Sequence, residues 1–137
     1  MEVSSGGVIR HQDAFLILQY GLGHWGFVKG HIEPGETAID AFFREAAEET
    51  GLTTADLRLI DGFHERIHYV YNKNGQAVYK EVQYFLADSR TITVRLSSEH
   101  QTFRWLPYDE ALKQITFPED QGVLKKAFRF LQTQNHR

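Results

Sequence analysis

Apolar and polar positions alternate, cluster and break along this chain in a readable order. Gly7 to Arg10 and Ala14 to Tyr20 read as two strands joined around His11-Gln12-Asp13, the second carrying the apolar run Phe15-Leu16-Ile17-Leu18. Gly21-Leu22-Gly23-His24-Trp25-Gly26 reads as a glycine-rich loop, Phe27-Val28 as a short strand, and Lys29 to Gly35 as a second loop. From Thr37 to Thr50 the period changes to that of a helix, with Ile39, Phe42, Phe43 and Ala46 as its apolar stripe. Thr37 and Asp40 fit an acidic capping box at its start, and Gly51 fits the position that ends a helix.

Beyond the helix, Leu57 to Tyr71 reads as extended chain bent at Gly62. Asn72-Lys73-Asn74-Gly75 reads as a turn, and Val78 to Ala87 as the returning strand. Two short strands are expected at Thr91 to Val94 and Thr102 to Leu106, and a short helix at Asp109 to Ile115. Pro118-Glu119-Asp120 opens a last helix whose core face is Leu124, Phe128 and Leu131. Strands, helix, long hairpin, strands and helix in that order predict a single α/β domain with a mixed sheet between helices, spanning residues 1–137.

Composition narrows the function. The chain has 137 residues, long enough to bury about 68% of its unfolded surface. Its hydrophobic content of 42% and charged content of 24% are those of a globular protein and argue against disorder. It has no cysteine, which excludes disulfides, thiolate metal sites and cysteine nucleophiles. A net charge of −3 argues against binding long nucleic acid. No run of about 18 apolar residues is present, so no membrane association is expected, and no signal-peptide pattern stands at the start; the expected location is the cytoplasm. Nothing in the pattern points to a protein partner.

The first helix carries the residues that most need a reason. Glu45, Glu48 and Glu49 are three and four positions apart and share one helix face. Like charges at that spacing cost about a few tenths of a kcal/mol per pair. A divalent cation turns the repulsion into coordination, and clustered carboxylates suit hard cations such as Mg²⁺ or Mn²⁺. The plainer reading of the same residues is a solvated acidic face with Arg44 paired to Glu48.

The surrounding spacing favours the first reading. Gly30, Glu36, Arg44, Glu45, Ala46, Glu48, Glu49, Gly51 and Leu52 fit the register G-x5-E-x7-R-E-U-x-E-E-x-G-U, where U is apolar. At roughly 7% usage per fixed position, a chance match anywhere in the chain is on the order of 10⁻⁶. This is the Nudix box, complete at every defined position, and the chain resembles a Nudix hydrolase. The resemblance implies an α/β/α sandwich around a mixed sheet. It also implies Mg²⁺- or Mn²⁺-dependent hydrolysis of nucleoside diphosphates linked to a further group. It assigns metal binding to Glu45, Glu48 and Glu49, with help from the carbonyl of Lys29. Gly30, Glu36, Arg44 and Gly51 would be structural members of the motif, Arg44 tying Glu36 to the helix.

Outside the box, Trp25 to Glu36, Leu96-Ser97-Ser98-Glu99-His100-Gln101 and Phe103-Arg104-Trp105-Leu106 are similar to the asymmetrically cleaving diadenosine tetraphosphate hydrolases of that family. The similarity implies polyphosphate contacts for His24, Lys29, Lys80 and Tyr84, and a metal-site acid in Glu99. It implies base stacking for Tyr69 and Phe117, the latter standing where a second Tyr is usual. Phe27-Val28 stand where Pro-Pro is common. Glu48 and Glu99 are the candidates to handle the proton of the attacking water. The expected substrate is a dinucleoside polyphosphate, foremost diadenosine tetraphosphate cut to ATP and AMP. The alternatives are another nucleoside polyphosphate, a damaged nucleoside triphosphate, an RNA 5′ end, or a non-catalytic nucleotide-binding module. Independently of the family, Lys80 and Tyr84 alternate on one strand and so share a sheet face, which offers charge for phosphate beside rings for a base.

Overall fold

The computed structural model describes residues 2–135. Its strands are β1 (Glu2–His11), β2 (Ala14–Tyr20), β3 (Trp25–Gly26), β4 (Val28–His31), β5 (Leu57–Leu59), β6 (Glu65–Lys73), β7 (Gln76–Ser89) and β8 (His100–Pro107). Its helices are α1 (Ala38–Thr50), α2 (Tyr108–Gln114) and α3 (Pro118–Asn135). The strands form one mixed sheet, in which β1 runs parallel to β7 from Glu2↔Lys80 to Arg10↔Asp88 and every other pairing is antiparallel.

Strand β1 divides its other edge between two partners. Ser4 to Gly7 pair with β4, whereas Arg10 and His11 pair with β2. The split brings β4, and with it the loop before α1, against the central strand β1. It also explains why Trp25-Gly26 and Lys29 to His31, expected as loops, are strands: each borrows its ladder from a long strand, β2 or β1.

Helix α1 begins as its sequence predicts. Asp40 N–H donates to Thr37 Oγ1 at 3.0 Å and Thr37 N–H donates to Asp40 Oδ2 at 3.2 Å, a reciprocal cap. Gly51 ends the helix at φ 77°, a left-handed conformation that favours glycine. Phe42 and Ala46 are buried with Ile9, Leu16, Leu18, Val28 and Leu52 on one face of the sheet. Burying Phe42 alone contributes about 1.5–3 kcal/mol. The buried stripe is shifted from the expected one: Ile39 lies outward at 37% exposure, and Ala41 is buried in its place.

The other face carries α2 and α3. Val8, Phe15, Ile17, Val82, Tyr84 and Leu86 of the sheet, with Phe27 between β3 and β4, pack there against Ala111, Leu124, Ala127 and Leu131. The result is the expected helix–sheet–helix sandwich. None of the described helices is long and apolar enough to cross a membrane.

One expected strand is absent. Thr91 to Val94 form no ladder, because their backbone is engaged locally and with other elements. Thr91 N–H donates to Ser89 Oγ, and the Ile92 carbonyl accepts from Trp105 Nε1 at 3.0 Å. Just beyond, Arg95 N–H donates to the Thr50 carbonyl at 2.8 Å and Ser97 N–H to the Glu49 carbonyl at 3.0 Å. The 90–99 segment therefore satisfies carbonyls that the end of α1 would leave without a partner.

Candidate active site

The last two turns of α1 present the acidic cluster to β4. At Gly30 the two elements nearly touch: a Cβ there would lie 2.1 Å from Glu45 Cδ. Only glycine admits the Glu45 carboxylate against that strand. Arg44 organises the rest. Its Nε donates to Glu36 Oε2 at 2.7 Å and its Nη2 to Glu36 Oε1 at 3.1 Å, a two-pronged pair that ties the preceding loop to the helix. The same guanidinium reaches the His31 carbonyl at 2.9 Å, Glu45 Oε1 at 2.8 Å and Glu48 Oε2 at 3.2 Å.

The glutamates differ in their surroundings. Glu48 is largely exposed, at 59% of its side chain, and Glu45 is largely covered, at 14%. Glu49 is buried, and neither carboxylate oxygen has a hydrogen-bond partner. Burial, followed by the neighbouring Glu45, pushes its pKa up to about 10. Among the described residues, no three His, Asp or Glu side chains converge as a ready-made metal shell. The donor set nonetheless fits a hard divalent cation. Glu49 offers two orphaned oxygens, Glu45 lies beside it, and both face an excess of negative charge that a cation would relieve.

Glu45 and Glu48, but not the buried Glu49, border a cavity of about 440 Å³ with Lys29, Lys80 and Glu99, and with Ser4, Tyr20 and Gly30 in its wall. A second cavity, of about 310 Å³, is lined by Lys29, Tyr69, Tyr71, Lys80 and Phe117. Lys29 and Lys80 belong to both, so the acidic and aromatic chambers meet at two cations. Lys80 stands directly opposite Tyr69 in the β6–β7 ladder. Burial, then the charge of Lys29, lowers the Lys80 pKa, the signature of a half-buried cationic pair. Lys29 Nζ lies 5.6 Å from the Tyr69 ring centre and 6.0 Å from that of Tyr20.

Not every expected residue reaches these chambers. Tyr84, expected to hold phosphate oxygens, is wholly buried in the core behind them. Its hydroxyl donates to Asp120 Oδ1 at 3.1 Å, so its ring supports the floor and does not line it. His24 lines neither chamber. It stacks flat on Tyr20 with centroids 4.7 Å apart and leans on Phe117 at 5.3 Å. Burial, then Lys29, lowers its pKa. Phe117 is partly exposed at the mouth, with His24 behind it.

Sequence reasoning missed three contributors. Asp120, buried in the first turn of α3, also accepts the Tyr69 hydroxyl at 2.8 Å and so sets that ring's orientation. Its sequence signal was only that of a helix-start acid. Tyr20, at the end of β2, donates its hydroxyl to the Phe27 carbonyl and walls the acidic chamber. His100 is buried beside Glu49. A larger surface groove, of about 540 Å³, lies elsewhere, and its acids are already matched: Asp56 to Arg90 at 3.1 Å, Asp88 to Arg10 at 2.8 Å.

With this geometry in place, comparison with known proteins is direct. Residues 3–128 match the NUDIX domain family. The bis(5'-nucleosyl)-tetraphosphatase [asymmetrical] of Rattus norvegicus is 39% identical over 121 residues, covering 85% of this chain and 80% of that protein. The protein of the same description from Caenorhabditis elegans is 35% identical and covers 96% of this chain and 98% of its own length. A crystal structure of a C. elegans Ap4A hydrolase binary complex superposes with a TM-score of 0.86 at 32% identity, over 97% of this chain and 99% of that one.

Proposed function

The chain belongs to the Nudix hydrolase family, and from that premise we propose that it cleaves diadenosine tetraphosphate asymmetrically, to ATP and AMP, with Mg²⁺ or in its place Mn²⁺. The observation that carries this reading is the union of an acidic and an aromatic chamber through Lys29 and Lys80. One chamber suits the cleaved phosphate, the other a nucleoside, and the two lysines suit the charged span between. We take residues 1–137 as one catalytic domain, working in the cytoplasm.

Nudix hydrolases use divalent cations; here Glu45, Glu48, Glu49 and Glu99, with the Lys29 carbonyl, would hold one or more. The cation supplies charge neutralisation and acidifies water at the site. The chain's own residues do the rest. Lys29 and Lys80 bind outer phosphate oxygens and hold the chain of phosphates in line. The Tyr69 ring, oriented by Asp120, stacks on a base, and Phe117 offers a second apolar face. Glu48 or Glu99 accepts the proton of the attacking water as its oxygen bonds to phosphorus and the bridging P–O bond breaks. Glu48 is open to solvent and Glu99 borders the same chamber, so both can pass that proton on. His24 supports Phe117 from behind.

Purified protein incubated with diadenosine tetraphosphate and Mg²⁺, with products separated by ion exchange, tests the reading. Equal ATP and AMP is the expected result. Two ADP would overturn the cleavage position. No turnover with either cation by folded protein would overturn the substrate.

A further inference from the structure

Among the described residues, the buried side-chain atoms without a hydrogen-bond partner are Ser4 Oγ, both oxygens of Glu49, and His100 Nε2. Three of these four meet at one place. His100 Nε2 faces Glu49 Oε1 across 3.4 Å, with both side chains almost wholly buried. A nitrogen and a carboxylate oxygen thus lie side by side without the alignment of a well-formed hydrogen bond, where no solvent competes.

The other side of the ring leaves the choice of nitrogen to Glu49. Nδ1 lies 3.1 Å from Ser97 Oγ. A hydroxyl can donate or accept, so it follows whichever tautomer the ring adopts. A carboxylate can only accept. Where a bound cation holds Glu49 ionised, a bare Nε2 would set two lone pairs against each other, so there the hydrogen sits on Nε2 and Ser97 donates to Nδ1. The unit is also clamped from outside. Ser97 N–H donates to the Glu49 carbonyl at 3.0 Å, His100 N–H to the Ser97 carbonyl at 3.2 Å, and the Tyr20 ring lies against the imidazole with centroids 4.5 Å apart.

We infer that His100 is a positioning residue of the metal site: through Nε2–H it orients the Glu49 carboxylate, leaving Oε2 as the ligating atom, while Ser97 fixes its tautomer. The inference rests on the cation reading above. It assigns a purpose to a histidine that no metal-ligand spacing explains, and it accounts for the fit of the 97–100 turn onto the end of α1. Hydrogen-bond partners of ligating groups set ligand orientation, and their loss weakens metal affinity about tenfold to a hundredfold.

The test is direct Mn²⁺ binding, followed by electron paramagnetic resonance of free Mn²⁺, with melting curves confirming the fold. His100→Gln keeps an amide N–H near the place of Nε2, whereas His100→Asn keeps one only near Nδ1. The expected result is a loss of affinity of about tenfold or more in His100→Ala and His100→Asn, near-native affinity in His100→Gln, and a smaller loss in Ser97→Ala. Native affinity in His100→Ala, or equal affinity in the Gln and Asn variants, would overturn the inference. If His100→Ala does not fold, the Gln and Asn pair decides. A wild-type protein that binds no Mn²⁺ would overturn the cation reading itself, a different failure.

Discussion

Glu49 and Glu48 are neighbours in sequence under opposite conditions. Glu48 sits in water with Arg44 at hand, whereas Glu49 is buried and bare. Replacing either by Gln keeps size and removes charge. Each change should lower kcat at least about a hundredfold, since metal-ligand and proton-transfer roles are worth that much. Thermal melts should stay cooperative. Full activity in both variants would remove these carboxylates from the metal site. His24 is informative in another way. Burial lowers its pKa below the unfolded value, so the unfolded chain takes up a proton first as pH falls. The stability contributed by neutral His24 is therefore present above about pH 6.5 and is lost as pH falls through its lower folded value. Denaturant melts of wild type and His24→Gln should diverge between pH 7.5 and 5.5, wild type losing ground. Parallel curves would mean that the ring titrates freely. Tyr84 shows where the sequence misled at this scale. Alternation correctly put it on the face of Lys80, but a face does not say how deep along the strand a side chain lies, and α3 covers this one.

Among elements, α1 was the most legible, since its cap, period and stop are local: Thr37, Asp40 and Gly51 act on their own neighbours. The 91–94 segment was the least legible. Its threonines and isoleucine carry strand propensity, yet its hydrogen bonds are set by Ser89 and Trp105, and those of the residues after it by the end of α1. Asp120 was opaque for the same reason: its partners Tyr69 and Tyr84 come from strands far along the chain. The contact between β4 and α1 yields a prediction of its own. In Gly30→Ala the added methyl collides with the carboxylate of Glu45, the movable end of a flexible side chain. Stability should fall little, because that carboxylate can swing away. Activity should fall roughly tenfold or more, because it swings out of the metal site. Paired melting curves and kcat measurements check this. Equal losses in a conservative Glu45 variant and Gly30→Ala would agree with it, and an active Gly30→Ala would refute it.

At the scale of the whole molecule, the acidic chamber is built on a helix and the aromatic chamber on a hairpin, which the proposed function pairs with phosphate and base. Tyr69 belongs to the hairpin, and the two lysines join the halves. Tyr69→Ala should raise KM for diadenosine tetraphosphate roughly tenfold to a hundredfold, the worth of a base stack, while Tyr69→Phe, which keeps the ring but loses its tie to Asp120, falls in between. The inhibition constant of inorganic tripolyphosphate should not change in either variant, as it has no base to stack. An equal effect on tripolyphosphate would place Tyr69 with the phosphates instead. Strand β1 also governs when any of this can exist. It pairs with β7 across 78 residues of sequence, and until that partner is made its edge lies open. A chain emerging from the ribosome therefore completes its first strand long before that strand can be used. Such distant pairing makes for slow folding and an exposed sheet edge in the meantime. The acidic helix, made early, waits as well, since β8 and the turn that carries His100 arrive later still. Tight cation binding should thus appear only at the end of folding, making metal uptake a timer for the finished protein.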